Sequence, residues 1–523
     1  MAEISEVKYG IDGSVSVEYA DGVNFKADPL LIDRTTKTLV GLGADNFKSG
    51  ATTILNKIRN SINSVSPDIQ NIRQKVLIAP DAWSAKTYFL GEVITNAGNA
   101  YMAMNENSAS SSAPTGTGPY LIADGSQSWL YLGSVTVDPG SELVSIAMGT
   151  KNASATKQIN CVSNSAPNLT KFNFIGGPAQ VRSNWNTSVV IPSTKVVSTG
   201  NTFNGNYDAN ISAMEFMTDS DLVCIGTTTN SPNNWYKFKV YVDGQPATKG
   251  VLRPSSASGS YGINIVFKDR KVRKIAVYNN QAWPMEYVWI RPGSNVWAPT
   301  NPNRWMLMTN GCSLDDNNFY NIPDNAWPAQ TAMALGCDNV INIAKQGTGF
   351  LNPGTTYVYS DRLTDVVSRN LIPDVYVVGN PVNDISHGSY SQSVFESAVV
   401  SHITQARSSF GVNTLIIIIG TMGGSTGPDT ATTNSETYLQ NAVNTYIAAN
   451  PKDKMIAFIP ISNDSTGPWL EGQGTINGAS GTFGNANYYV NLAPHLCPIG
   501  NDYISQKIAQ SIKNVVFSKL STV

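Results

Sequence analysis

The stretch "TNGCSLDD", residues 309–316, puts Ser313 on a glycine-containing turn directly after the apolar run "RWMLM". A hydroxyl becomes a useful nucleophile only when a base takes its proton and donors receive the oxyanion that follows. The choice of base is narrow, because the chain of 523 residues contains 3 histidines, His387, His402 and His495. His402 falls inside the helical stretch "ESAVVSHITQARSSF", where a packing or surface role is expected. His387 follows "PVNDIS" and stays open as a base, whereas His495, in "NLAPHLCPIGNDYIS", stands on a loop just ahead of the last helix. Two further apolar runs end in donors: "NIAKQGTGF" offers the backbone N–H of Gly347, and "VVGNPVND" offers the side-chain amide of Asn383.

Taken together over roughly residues 303–520, these blocks resemble the SGNH (GDSL-type) hydrolase superfamily. That family carries its nucleophile in G-D-S, a glycine five residues beyond an asparagine, the asparagine of G-x-N-D, and a histidine in D-x-x-H ahead of the final helix. The resemblance implies that Ser313 is the nucleophile and His495 the base. It makes Gly347, five after Asn342, and Asn383 the oxyanion donors beside the Ser313 N–H. Three positions depart from the pattern: Cys312 replaces the aspartate of G-D-S, Pro381 the glycine of G-x-N-D, and Leu492 the acid of D-x-x-H. An acid that orients the histidine matters greatly in serine hydrolases. A backbone carbonyl, Asp464 or Glu471 is the alternative orienting group. Cys312 reads as a small buried residue, and a bridge to Cys497 is not expected. The chemistry implied is ester hydrolysis through an acyl-enzyme, with no metal or cofactor; calcium on loop carbonyls stays open.

The elements that must position these residues come from periodicity. After Pro302, apolar runs "RWMLMT", "NVINIA", "DVYVVGN", "TLIIIIG" and "KMIAFIP" alternate with helical stretches near 325–336, 391–409, 435–449 and 500–519. Strands buried on both faces and alternating with helices make a parallel α/β sheet, whose ligands bind at the carboxyl ends of the strands. The expectation for 301–523 is therefore a three-layer, flavodoxin-like α/β domain.

Upstream the signal changes. Residues 134–300 read as short strands separated by Gly, Pro, Asn and Ser clusters, a β-sandwich or jelly roll. With "QGTGFLNPG", that domain is similar to the esterase branch in which a jelly roll precedes the hydrolase. Residues 81–133 resemble small chitin-binding-type modules through Trp83, Tyr88, Gly91, Val93, Gly98, Tyr101 and Trp129. The resemblance makes Trp83, Tyr88, Tyr101 and Trp129 candidate sugar platforms, although the same rings also suit a small β core. Leu55, Ile58, Ile62, Val65, Ile69, Ile72 and Val76 are spaced 3, 4, 3, 4, 3 and 4 apart. This heptad seam over 51–80 predicts a trimerising helix, with packing on the chain's own surface as the alternative. Residues 1–50 read as a small β element, with "DG" as a hairpin signal.

Composition narrows the partners. Charged residues are 14% with a net charge of −2 and no Lys/Arg block, which argues against nucleic acid. The 5 cysteines lack metal or disulfide spacing and read as reduced. "MAEISEVKYG" shows neither a basic nor an apolar signal region, and no run is long enough to span a bilayer, so cytoplasmic synthesis without membrane insertion is expected. The order of parts resembles a bacteriophage tail spike or fibre. That resemblance implies a virion-tail protein acting outside the cell on capsule or O-antigen, beside other tail proteins and as a homotrimer. A lectin-like fibre with little or no activity, and a secreted bacterial polysaccharide esterase, are the alternative functions.

Overall fold

The computed structural model describes the chain outside residues 1–3, 10–14, 20–23, 28–30, 33–38, 42–43, 65–74, 118–120, 162–169, 177–178, 186, 193–210, 230–236, 255–258, 280–284, 301–304, 317–321, 323, 338, 355–356, 369–370, 388–389, 425–426, 471–489, 493–494 and 523. In the C-terminal part five strands form one parallel sheet: β1 Met306–Asn310, β2 Asn339–Asn342, β3 Val375–Gly379, β4 Leu415–Ile419 and β5 Ile456–Ile459. They lie in the order β2-β1-β3-β4-β5.

The two-residue period of a strand sends alternate side chains to opposite faces. Leu307, Val375, Val377, Leu415, Ile417 and Ile419 join one core, and Met308, Tyr376, Val378, Ile416 and Ile418 join the other. An unbroken apolar run such as Leu415–Ile419 is thus consumed on both sides, which forces helices onto each face. α1 Ala44–Ser64, α2 Ser313–Asp316, α3 Trp327–Ala334, α4 Tyr359–Ser368, α5 Val382–His387, α6 Gln392–Phe410, α7 Thr430–Ala449 and α8 Pro498–Thr522 are the helices named here. α3, α8 and α1 supply the first core; α4, α6 and α7 supply the second.

α1 departs from the seam expectation in a specific way. It ends at Ser64, and Leu55, Ile58 and Ile62 are buried in the first core with α8, within one chain. Lys57 pairs with Asp374 at 3.1 Å, and Ser61 Oγ donates to the Gly336 carbonyl at 2.7 Å. A 3-4 spacing marks an apolar stripe, and a stripe satisfied by the chain's own sheet layer is no longer exposed for a second copy. Val65, Ile69 and Ile72 lie outside the described residues, while Val76 is buried in a short strand, Lys75–Val76.

Upstream, two antiparallel sheets share one apolar core that includes Phe216, Ile225, Phe238, Ile263, Val277 and Ile290. In the stretch before them a four-stranded sheet, ordered Leu121–Asp124, Gln127–Ser134, Asn99–Ala103 and Val93–Asn96, packs its own aromatic cluster. Glu106 binds this unit to the next through Lys237 at 3.3 Å and Arg253 at 3.0 Å, with burial lowering the Lys237 pKa to about 8. Near the N-terminus Val15–Tyr19 and Asn24–Ala27 pair antiparallel around the "DG" step.

Candidate active site

Strand order reverses between β2 and β3 around β1, the switch point at which a crevice opens beyond the carboxyl ends of the strands. Ser313 starts α2 directly after β1, and Asn383 lies on α5 directly after β3. Gly347 lies on the loop after β2. The three residues sought in sequence therefore follow the carboxyl ends of three neighbouring strands.

Ser313 is 8% exposed, and its Oγ lies 3.0 Å from Nε2 of His495. His495 begins a two-residue strand, His495–Leu496, whose antiparallel register sets Leu492 opposite His495. The position that holds an acid in the family pattern is therefore the cross-strand partner of the histidine. Asp464 is occupied elsewhere: it accepts from Trp469 Nε1 at 2.7 Å and from the Thr466 N–H at 2.9 Å. Glu471 lies outside the described residues.

The nucleophile turn is held from below by Asp315. Its carboxylate accepts the Cys312 N–H at 2.8 Å and Trp327 Nε1 at 3.0 Å. Full burial pushes its pKa up to about 7, against the opposing pull of those hydrogen bonds. Gly311 is required here, because a Cβ would fall 2.0 Å from the Asp315 carboxylate. Cys312 is buried, and it and the other cysteines are free thiols, so no bridge to Cys497 forms.

Asn342 ends β2 and donates to the Asp315 carbonyl at 2.6 Å, which ties the second strand end to α2. Gly347 has a φ of 75°, and a Cβ there would meet nothing within 4 Å; its outer face is open space. Asn383, 8% exposed, donates from Nδ2 to the Thr348 carbonyl at 2.9 Å. The following residue, Asp384, accepts the N–H groups of Phe350, Leu351 and Asn352 at 2.8, 2.9 and 2.7 Å. The loop bearing Gly347 is thereby bound to the helix bearing Asn383.

Arg362, fully buried on α4, crosses between these loops. Nε and Nη2 donate to Asn310 Oδ1 at 3.0 and 2.7 Å, Nη2 to the Gly311 carbonyl at 2.9 Å, and Nη1 to Thr348 Oγ1 at 2.8 Å. One planar guanidinium spans the turn before the nucleophile and the loop whose carbonyl holds Asn383. Asp315, Arg362 and Asp384 are the residues that reading the sequence for nucleophile, base and donors did not single out. The only local trace was the acidic pair after Ser313 and the "ND" step.

Of the other two histidines, His402 is committed elsewhere. His402 is wholly buried between Ser360 Oγ at 3.0 Å and Tyr376 OH at 2.9 Å, and burial lowers its pKa to about 3, which keeps it neutral. His387 ends α5, and its side chain lies outside the described residues.

The candidate sugar platforms are corrected by the structure. Tyr88, Tyr101 and Trp129 are 0%, 1% and 0% exposed, with Tyr88 and Trp129 edge to face at 4.9 Å. Trp83 is partly buried against the same cluster and donates to Ser110 Oγ at 2.8 Å. Tyr88, Tyr101 and Trp129 join Ile94 and Ala103 in one core of the module, while Leu90, Val93, Met102 and Leu130 make another, so these three rings are spent on packing.

Fold and site together define a flavodoxin-like α/β unit with a Ser–His pair at its switch point. No family model and no curated protein matches the chain. Among solved structures the chain is similar to a salicylyl-acyltransferase, SsfX3, from a tetracycline biosynthetic pathway, at 11% identity over 70% of this chain and 98% of that one, with a TM-score of 0.49. It is also similar to a family two carbohydrate esterase from Cellvibrio japonicus, at 8% identity over 71% and 99%, with a TM-score of 0.46. A third likeness is to an acetyl xylan esterase, Est2A, from Butyrivibrio proteoclasticus, at 12% identity over 69% and 99%, with a TM-score of 0.44. At these identities the case for chemistry rests on the site itself.

Proposed function

We propose that the protein is a serine esterase that removes acyl groups, acetyl foremost, from carbohydrate. The observation that carries this reading is the 3.0 Å approach of Ser313 Oγ to His495 Nε2 at the carboxyl edge of a parallel sheet. In the reaction Ser313 Oγ attacks the ester carbonyl while His495 takes its proton. The Ser313 and Gly347 N–H groups and the Asn383 amide receive the oxyanion. Protonated His495 then gives the proton to the leaving sugar oxygen, and a water activated by neutral His495 releases the acid from Ser313.

The substrate we infer is a cell-surface polysaccharide such as capsule or O-antigen, met by a virion tail protein. Support for that context is the order of parts: short strands between residues 4 and 41, the helix Ala44–Ser64, a small module at 81–133, a β-sandwich at 134–300 and the α/β unit at 301–523. Leu492 opposite His495, where the family pattern has an acid, favours keeping one second reading, a binding protein with a weakened site. Both are tested by acetate release from acetylated polysaccharides and from 4-nitrophenyl acetate. Release by wild type that Ser313→Ala abolishes is expected; equal, background release by both proteins refutes the esterase and leaves the binding protein.

A further inference from the structure

A second cavity of about 210 Å³ opens beside the candidate site, between the start of α6 and the N-terminal half of α7. Its lining is Asp384, Tyr390, Phe395, Asn434, Ser435 and Tyr438, with Ala431. Asp384 follows Asn383 directly, so the cavity begins within one residue of the oxyanion donor. At roughly 10–15 Å³ of such space per water the cavity has room for a small polar ligand such as one sugar ring.

Its chemistry is specific. Tyr390 is 41% exposed and neighbouring Val394 48%, while Phe395 forms the floor, 6.5 Å from the Tyr438 ring. The hydroxyls of Tyr390 and Tyr438 and the amide of Asn434 make no hydrogen bond to the described residues, so they are available at the rim. Aromatic faces with free hydroxyl and amide groups around them match a pyranose, which has an apolar C–H face and a polar circumference. The only charged group in the lining is Asp384, whose oxygens already accept three backbone N–H groups. Nothing in the lining neutralises the carboxylate of a uronic acid.

The geometry points to a subsite at Tyr390, Asn434 and Tyr438 for one neutral pyranose of the polymer, next to the residue that carries the ester. This rests on the esterase reading above and names its substrate class. Tyr390→Ala and Tyr438→Ala remove ring contacts and leave Ser313, His495, Gly347 and Asn383 in place.

The experiment compares KM on two neutral acetylated polymers, xylan and glucomannan, with hydrolysis of 4-nitrophenyl acetate and of acetylated pectin. In parallel, retardation of Ser313→Ala in gels containing xylan or glucomannan reads binding without catalysis. The variants are expected to raise KM on at least one neutral polymer about three- to tenfold, with 4-nitrophenyl acetate hydrolysis unchanged. Wild type is expected to use pectin poorly, and the gel retardation of Ser313→Ala should disappear on adding Tyr390→Ala. Unaltered KM on both neutral polymers, or equal use of pectin, overturns the subsite while leaving the esterase standing. Tyr390-dependent retardation in a protein that hydrolyses no ester keeps the subsite and removes the esterase.

Discussion

Arg362→Lys is the sharpest test of how the site is held together. The substitution keeps the buried charge and removes the planar fork that reaches Asn310 Oδ1, the Gly311 carbonyl and Thr348 Oγ1 at once. An ammonium on a shorter arm keeps about half of those four hydrogen bonds. At roughly 1.5–3 kcal/mol for each hydrogen bond to a charged group, the loss is about 3–6 kcal/mol. That is a large share of the roughly 5–15 kcal/mol that folds a domain. At about 2–4 °C per kcal/mol for a unit of this size, Tm should fall by roughly 6–24 °C. The catalytic consequence is separate. The Asn310–Gly311 turn sets Ser313, and Thr348 sets Asn383, so loosening both shifts nucleophile against oxyanion donors. A displacement of about 1 Å costs on the order of 100-fold in rate. The assay is kcat and KM for 4-nitrophenyl acetate at 15 °C, where circular dichroism shows the variant folded. A fall in kcat with little change in KM is expected. A folded variant with kcat within about threefold of wild type refutes the positioning role, leaving Arg362 as a contributor to stability alone.

Other outcomes follow from the same geometry. Asn383→Ala should lower kcat by about 10²–10³, measured on the same ester; an unchanged kcat removes Asn383 from the oxyanion site. Asp315 has a folded pKa near 7, above that of an ordinary carboxyl, so the native state holds its proton where the unfolded chain has lost it. Its contribution to stability is therefore fully present below the unfolded value, about 4, and declines as pH rises toward about 7. Asp315→Asn should flatten the Tm-versus-pH curve over that window, and a curve parallel to wild type contradicts the assignment. Trp129→Ala should destabilise the small module by about 3–5 kcal/mol, seen as new proteolytic cutting there, without altering polymer KM; raised KM with the module intact returns the ring to a sugar-binding role. Ile58→Ala should lower the Tm of the transition that abolishes ester hydrolysis, by an amount matching roughly 2–5 kcal/mol, and leave the sedimentation coefficient unchanged. A halved or thirded particle mass would instead return Ile58 to an intermolecular seam.

The parallel sheet was legible because its strands are apolar on both faces, so Leu415–Ile419 has no other soluble use. Ser313 and His495, which the structure brings to 3.0 Å, were legible through their resemblance to short family motifs rather than through periodicity. The carboxylates of Asp315 and Asp384 and the guanidinium of Arg362 were not, since each acts across contacts between segments far apart in sequence. α4 itself went unread: "YSDRLTDVVS" places a buried arginine on its inner face, which weakens the apolar period that marks a helix. Aromatic spacing in residues 81–133 could not separate a sugar platform from a core, because both put rings at alternate strand positions. A heptad likewise reports a stripe and not what covers it.

The burial of Leu55, Ile58 and Ile62 against α8 joins nearly the first and the last helices of the chain. During synthesis α1, Ala44–Ser64, leaves the ribosome long before α8, Pro498–Thr522. At about 5–20 residues per second, the early helix waits on the order of half a minute or longer with its apolar stripe uncovered. The α/β unit is thus completed only once α8 has been made, and a fragment beginning at residue 301 would carry an unfilled groove on α8 where α1 belongs.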